Sequence, residues 1–126
     1  MREELVGDFA PLDLQRRVAD LQQFIAQGRI LEALDEFYGP DLVMQENQQP
    51  PCVGLQENKE RERQFVAAVR EWKGFRVLAT AVAGDTSFVE SELHFVLRDG
   101  TEVRQVQVSR ARWRNGRIFD ERFYHG

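Results

Sequence analysis

The stretch from Ser87 to Leu97 alternates two chemistries at the period of a β-strand. Val89, Leu93, Phe95 and Leu97 fall on one face, while Glu90, Glu92, His94 and Val96 fall on the other. A two-residue turn at Asp99-Gly100 would set His94 opposite Gln105 and Glu92 opposite Gln107. Gln105, Gln107 and Ser109 would then prolong the polar face, and Val106 and Val108 the apolar one. Carboxylates, an imidazole, amides and a hydroxyl are the materials of general acid-base chemistry. Histidine exchanges protons near neutrality, and a carboxylate withdrawn from water has its pKa raised toward the same range. The plainer reading turns this polar face to water and packs the apolar face on helices, and periodicity alone favours it. On the last strand Phe119, Glu121 and Phe123 share a face. A strict two-residue turn at Asn115-Gly116 would group Glu121 with the valines, whereas a bulge between Ser109 and Trp113 would bring it to the polar side.

Other chemistries find less support. The single cysteine, Cys52, follows Pro50-Pro51 in a loop and has no basic partner that would activate a thiol. With only His94 and His125 beside it, no metal-ligand spacing is present, and no metal site is expected. Glycine-rich phosphate loops and nicotinamide or flavin signatures are absent, so no cofactor is expected either. A net charge of −4 argues against nucleic acid as the partner. Of the basic clusters, Arg16-Arg17 and the series Arg110, Arg112, Arg114 and Arg117, the second mostly alternates along a strand as a solvated face would. No apolar run resembles a secretion signal or approaches a membrane span, and together with the absence of an internal disulfide this makes the cytoplasm the expected location.

These residues need elements to hold them. Leu14, Val18, Leu21, Phe24 and Ile25 make one stripe of a helix, with Asp13 placed as N-cap and Gly28 as its end. Ile30, Leu31, Leu34 and Phe37 make a short second helix, stopped by Gly39-Pro40. Leu42 to Glu46 reads as a strand and Asn47 to Gly54 as a loop. A third helix is expected from about Asn58 to Trp72, with Phe65, Val66, Val69 and Trp72 as its buried side. Four strands follow, at Phe75–Ala83, Ser87–Leu97, Thr101–Trp113 and Arg117–Tyr124, joined by turns at Gly84-Asp85, Asp99-Gly100 and Asn115-Gly116. Helices followed by a meander define an α+β domain. One domain over 13–126 with an N-terminal extension over 1–12 suits a chain of 126 residues.

Gly28, Phe37-Tyr38-Gly39-Pro40-Asp41, Gly54, Gly84-Asp85, Asp99-Gly100 and Asn115-Gly116-Arg117-Ile118, in this order of elements, resemble the nuclear transport factor 2-like superfamily. Within it the chain is most similar to the SnoaL-like and ketosteroid-isomerase-like proteins. The resemblance covers nearly everything after residue 12 and implies a cone: three N-terminal helices packed on a curved, mostly antiparallel sheet. It also implies that the sheet face could be turned the other way, with Glu92, His94, Gln105, Gln107, Ser109 and, given the bulge, Glu121 pointing into the cone beside Glu46. Glu46 stands five positions after Asp41, where ketosteroid isomerases carry their proton-shuttling carboxylate. The oxyanion-holding tyrosine and the late-strand acid of those enzymes fall near Leu21 and Ser109, which argues against steroid isomerisation itself.

On that likeness Glu46 or Glu121 would be the base and His94 the acid or donor. Tyr38 and the two glutamines would orient a ligand, and Phe65, Val69, Trp113, Phe119 and Phe123 would wall it. The valines and Phe95 would form the back of the sheet, through which many relatives dimerise. The superfamily holds isomerases, cyclases, hydrolases and dehydratases as well as proteins that only bind a ligand or a partner. Three readings stay open: a cofactor-free enzyme on a small apolar molecule with a polar group, a non-catalytic ligand-binding module, and a homodimeric interaction domain with a closed cone. Ligand handling is expected ahead of interaction, with neither nucleic acid nor membrane as partner.

Overall fold

The computed structural model describes residues 11–126. The N-terminal extension expected over 1–12 lies, up to residue 10, outside the described residues. Helix α1 (Pro11–Ala26) opens on a proline, whose fixed φ suits the first helical turn, so Asp13 sits in that turn rather than at the N-cap. Its stripe buries Leu14, Val18 and Leu21. Gly28 ends it at φ +76°, a left-handed conformation. The N–H of Gly28 bonds to the carbonyl of Ile25 and that of Arg29 to Phe24, which satisfies the last turn. Helix α2 (Ile30–Phe37) buries Ala33, Leu34 and Phe37.

Strand β1 (Tyr38–Glu46) follows at once, four residues earlier than expected, and absorbs Gly39-Pro40 as an irregularity in its pairing with the last strand. The expected loop contains a two-residue strand, β2 (Cys52–Val53), paired to β1. Helix α3 spans Leu55–Ala68, not 58–72. Asn58, fully buried in its first turn, donates to the carbonyls of Gly54 and Cys52 and so moves the start forward. At the other end Arg98 takes the last carbonyls, its Nε on Ala67 and its backbone N–H on Ala68, so Val69 and Trp72 continue as strand. Val66, expected on the buried side, is exposed.

Strands β3 (Val69–Ala83), β4 (Thr86–Leu97), β5 (Glu102–Arg114) and β6 (Arg117–His125) form the meander. The sheet has six strands in the order β2-β1-β6-β5-β4-β3, antiparallel except where β1 meets β6. Register shifts at three places along β3 and one in β6 curve it around the helices. The core, with Leu14, Val18, Leu34, Phe37, Leu42, Trp113 and Ile118, fills one end of the space between helices and sheet. No helix among the described residues is long and apolar enough to cross a membrane.

Candidate active site

Which side chains reach the interior is decided at the β4-β5 turn. Leu97 donates to the carbonyl of Thr101, and Gly100, at φ +91°, donates to Leu97, so the loop has three residues, Arg98 to Gly100, instead of two. A left-handed glycine closing a three-residue loop is a standard hairpin geometry. One extra residue changes every partner: His94 lies opposite Arg104, Glu92 opposite Val106, Leu93 opposite Gln105, and Ser91 opposite Gln107. Neither face is therefore purely polar or purely apolar. Val89, Ser91, Leu93 and Phe95 share the inner face with Gln105, Gln107 and Ser109, all lining one cavity. In β6 a bulge between Arg112 and Trp113 leaves Phe119 as the extra residue, so Glu121 pairs with Ala111 and joins the same face.

The cavity, about 360 Å³, lies between this face and the helices. Its apolar wall includes Leu21, Ile25 and Leu34, and an aromatic group in which Phe65 meets Phe95 edge-on at 5.2 Å and Trp72 stacks on Phe95 at 6.0 Å. Its polar end is Glu121, only 4% exposed. Both carboxylate oxygens accept a hydrogen bond of 2.6 Å, Oε1 from the Tyr38 hydroxyl and Oε2 from the Ser109 hydroxyl. Burial pushes the Glu121 pKa up to about 7. The two hydroxyl donors oppose this, and the charges of Glu62 and Glu46 reinforce it. The Tyr38 phenol, buried in the core, is driven well above its ordinary value by burial first and by Glu121 second. It therefore stays protonated as a donor.

At the solvent margin Glu46, 38% exposed, holds His125 Nε2 at 2.8 Å and Arg61 at 3.8 Å. Arg61 also lies 3.5 Å from Glu62, whose pKa is raised chiefly by burial. His125 is positioned from the β1-β2 connection: Asn47, at φ +48°, accepts the His125 backbone N–H on its side-chain oxygen and the Arg122 guanidinium on its carbonyl. Among the described residues no group of His, Cys, Asp and Glu is arranged to hold a metal ion.

Of the residues singled out in the sequence, Tyr38, Glu46, Phe65, Gln105, Gln107, Ser109, Glu121 and Phe123 line the cavity. Five do not. The three-residue loop turns Glu92 and His94 to the outer face, where Glu92 pairs with Arg76 and His94 with Glu102. Val69 belongs to β3 opposite Leu97. Trp113 is packed in the core, its indole N–H donating to Ser87 at 2.9 Å. Phe119 lies under the guanidinium groups of Arg112 and Arg114. Val89 and Phe95, expected on the back of the sheet, are buried inside, whereas Val106 is exposed there. The sequence reading missed Ser91, Arg61, Glu62, Trp72, Phe75 and His125. Ser91 offered a signal, being a small polar residue interrupting the stripe Val89, Leu93, Phe95.

Three helices on a curved sheet are shared with solved structures. A candidate SnoaL-like polyketide cyclase from Mesorhizobium loti superposes with a TM-score of 0.74 at 21% identity, over 88% of this chain and 97% of that one. An NTF2-like protein of unknown function from Burkholderia pseudomallei gives 0.76 at 14% identity, over 89% of each chain. An LEH-like epoxide hydrolase of M. tuberculosis gives 0.72 at 18% identity, over 88% of this chain and 80% of that one. These likenesses establish an NTF2-like fold. The SnoaL-like domain family matches residues 17–121, and the chain belongs to that family. No curated protein matches it.

Proposed function

We propose that the cavity takes a small, mainly apolar molecule bearing an oxygen function, and that Glu121 moves a proton on it without a cofactor, as in an isomerase, cyclase or dehydratase. The observation that carries this reading is a carboxyl group 4% exposed, lining an open cavity and poised near neutrality at about 7. In its carboxylate form Glu121 takes a proton from a carbon beside a carbonyl and returns it to another atom of the same molecule, so nothing else is consumed. Ser109 and Tyr38 hold the carboxylate in place, and Glu46 with His125 supplies a second proton carrier at the margin. Relatives described as a candidate cyclase and an epoxide hydrolase are in keeping with acid-base work in this fold.

The test is a thermal-shift screen of small ketones, followed by mass and NMR analysis of each binder after incubation. Turnover should fall about 10²- to 10⁴-fold in Glu121→Gln. The wild-type kcat/KM should rise with pH through a limb near 7. Binders recovered unchanged under all conditions would leave the second reading, a ligand-binding module. One observation favours it: both Glu121 oxygens already hold a hydroxyl donor, as in a purely structural polar network. Either reading includes a second copy of the chain on the outer face of the sheet.

A further inference from the structure

Ser91 is 2% exposed, lines the cavity, and its hydroxyl makes no hydrogen bond among the described residues. Its neighbour across the β4-β5 ladder is Gln107. The Gln105 amide donates to Gln107 Oε1 at 3.3 Å, which leaves the Gln107 amide nitrogen and the Gln105 carbonyl oxygen unpaired among the described residues, both on the cavity wall. The Ser91 hydroxyl and the part-buried Gln107 amide thus keep unused hydrogen-bonding capacity on the cavity wall, which an oxygen of a bound molecule can take up. They stand apart from the proton-transfer group, because Gln107 precedes Ser109 by two residues on the same face of β5, about 7 Å along the strand. Three carboxyl groups, Glu46, Glu62 and Glu121, line the same cavity against the single guanidinium of Arg61, so the field disfavours an anion.

We infer that Ser91, Gln105 and Gln107 form a second polar subsite that selects a molecule with an uncharged oxygen, a hydroxyl or carbonyl, at the end remote from Glu121. The ligand class is then a small molecule with an apolar body, one oxygen at each end and no carboxylate, its body lying against Phe65, Phe95 and Trp72. This rests on the cavity being a ligand site, but not on proton transfer taking place in it.

Calorimetric titration with three probes tests it: 2-tetralone, 6-hydroxy-2-tetralone and 6-carboxy-2-tetralone. Wild-type protein should bind the hydroxy ketone about tenfold more tightly than the parent ketone, the equivalent of one well-made hydrogen bond, and the carboxylate weakest. The preference for the hydroxy compound should fall in Ser91→Ala and in the similarly sized Gln107→Met, each checked for native near-UV dichroism, and vanish in the double variant. Glu121→Gln should keep it, so a failure of proton transfer leaves this result readable. Equal affinity for the two ketones, a preference that persists in both single variants, or tightest binding of the carboxylate would overturn the subsite. Binding of none of the three would overturn the ligand cavity and the subsite together.

Discussion

At Glu121 burial and hydrogen bonding oppose each other, and burial is the larger effect, because the pKa rises from 4.5 to about 7 despite two hydroxyl donors. Folding therefore favours the protonated form. The stability contributed by that form is complete below an unfolded-state value of about 4.5 and is lost as pH rises through about 7. At ~1.4 kcal/mol per pH unit of displacement, the swing is on the order of 3 kcal/mol. Urea unfolding of the wild type at pH 5 and pH 8 should show lower stability at pH 8. In Glu121→Gln this fall should shrink by about that amount. Asp99 and Glu102, whose pKa values are lowered by the Thr101 hydrogen bonds and by His94 respectively, act in the opposite direction but are common to both proteins and cancel. Identical pH slopes in the two would mean that Glu121 is ionised in the fold at neutral pH, and the proposed base would lose its tuning.

The β4-β5 hairpin is the element on which the site depends, because its loop length assigns every side chain of two strands to the inside or the outside. Gly100 sits at φ +91°, with nothing near the position a Cβ would take, so Gly100→Ala meets backbone strain and no clash. Its expected cost is about 1 kcal/mol, read as a lower urea midpoint at unchanged slope. An unchanged midpoint would show that the loop does not need its left-handed residue. The same hairpin marks where the sequence stops being legible. The stripe Leu14, Val18, Leu21 and the turns at Asp99-Gly100 and Asn115-Gly116 announced helices and a meander, since periodicity and turn chemistry are local. Whether Arg98 belongs to the strand or the loop is not local: it follows from Arg98 capping α3 through Ala67 and Ala68, a contact across 31 residues. That contact removed His94 and Glu92 from the interior. The bulge at Arg112 and Trp113 was foreseeable as a possibility, and it is what makes Glu121 a cavity residue. Arg61 and Glu62 escaped notice because a helix face rich in charge reads as a solvated one.

On the scale of the whole molecule the sheet has an unequal outer face. Phe88, Val106 and Tyr124 are 41%, 48% and 41% exposed, and Val108 lies between the last two across the β5-β6 ladder. Around them stand opposed charges, Arg76 and Arg104 with Glu92 and Arg110 with Asp120, both signs on one surface. Exposed apolar side chains interrupted by Glu90, opposite Val108, and flanked by both signs of charge are self-complementary under a two-fold axis, since each arginine of one copy can meet a carboxylate of the other. A second copy of the chain is therefore the proposed occupant of this face. Light scattering of the wild type should give twice the 14.7 kDa chain mass at micromolar concentration. Val106→Asp places an unpaired charge in the middle of the contact and should leave a monomer, because a desolvated lone charge costs several kcal/mol. The cavity opens on the opposite face of the sheet, so the monomeric variant should bind 6-hydroxy-2-tetralone as the wild type does. A wild type that stays monomeric at every concentration would return the outer face to solvent. A Val106→Asp monomer that no longer binds the ketone would instead make the dimer part of the site, with curvature of the sheet as the physical link between the two faces.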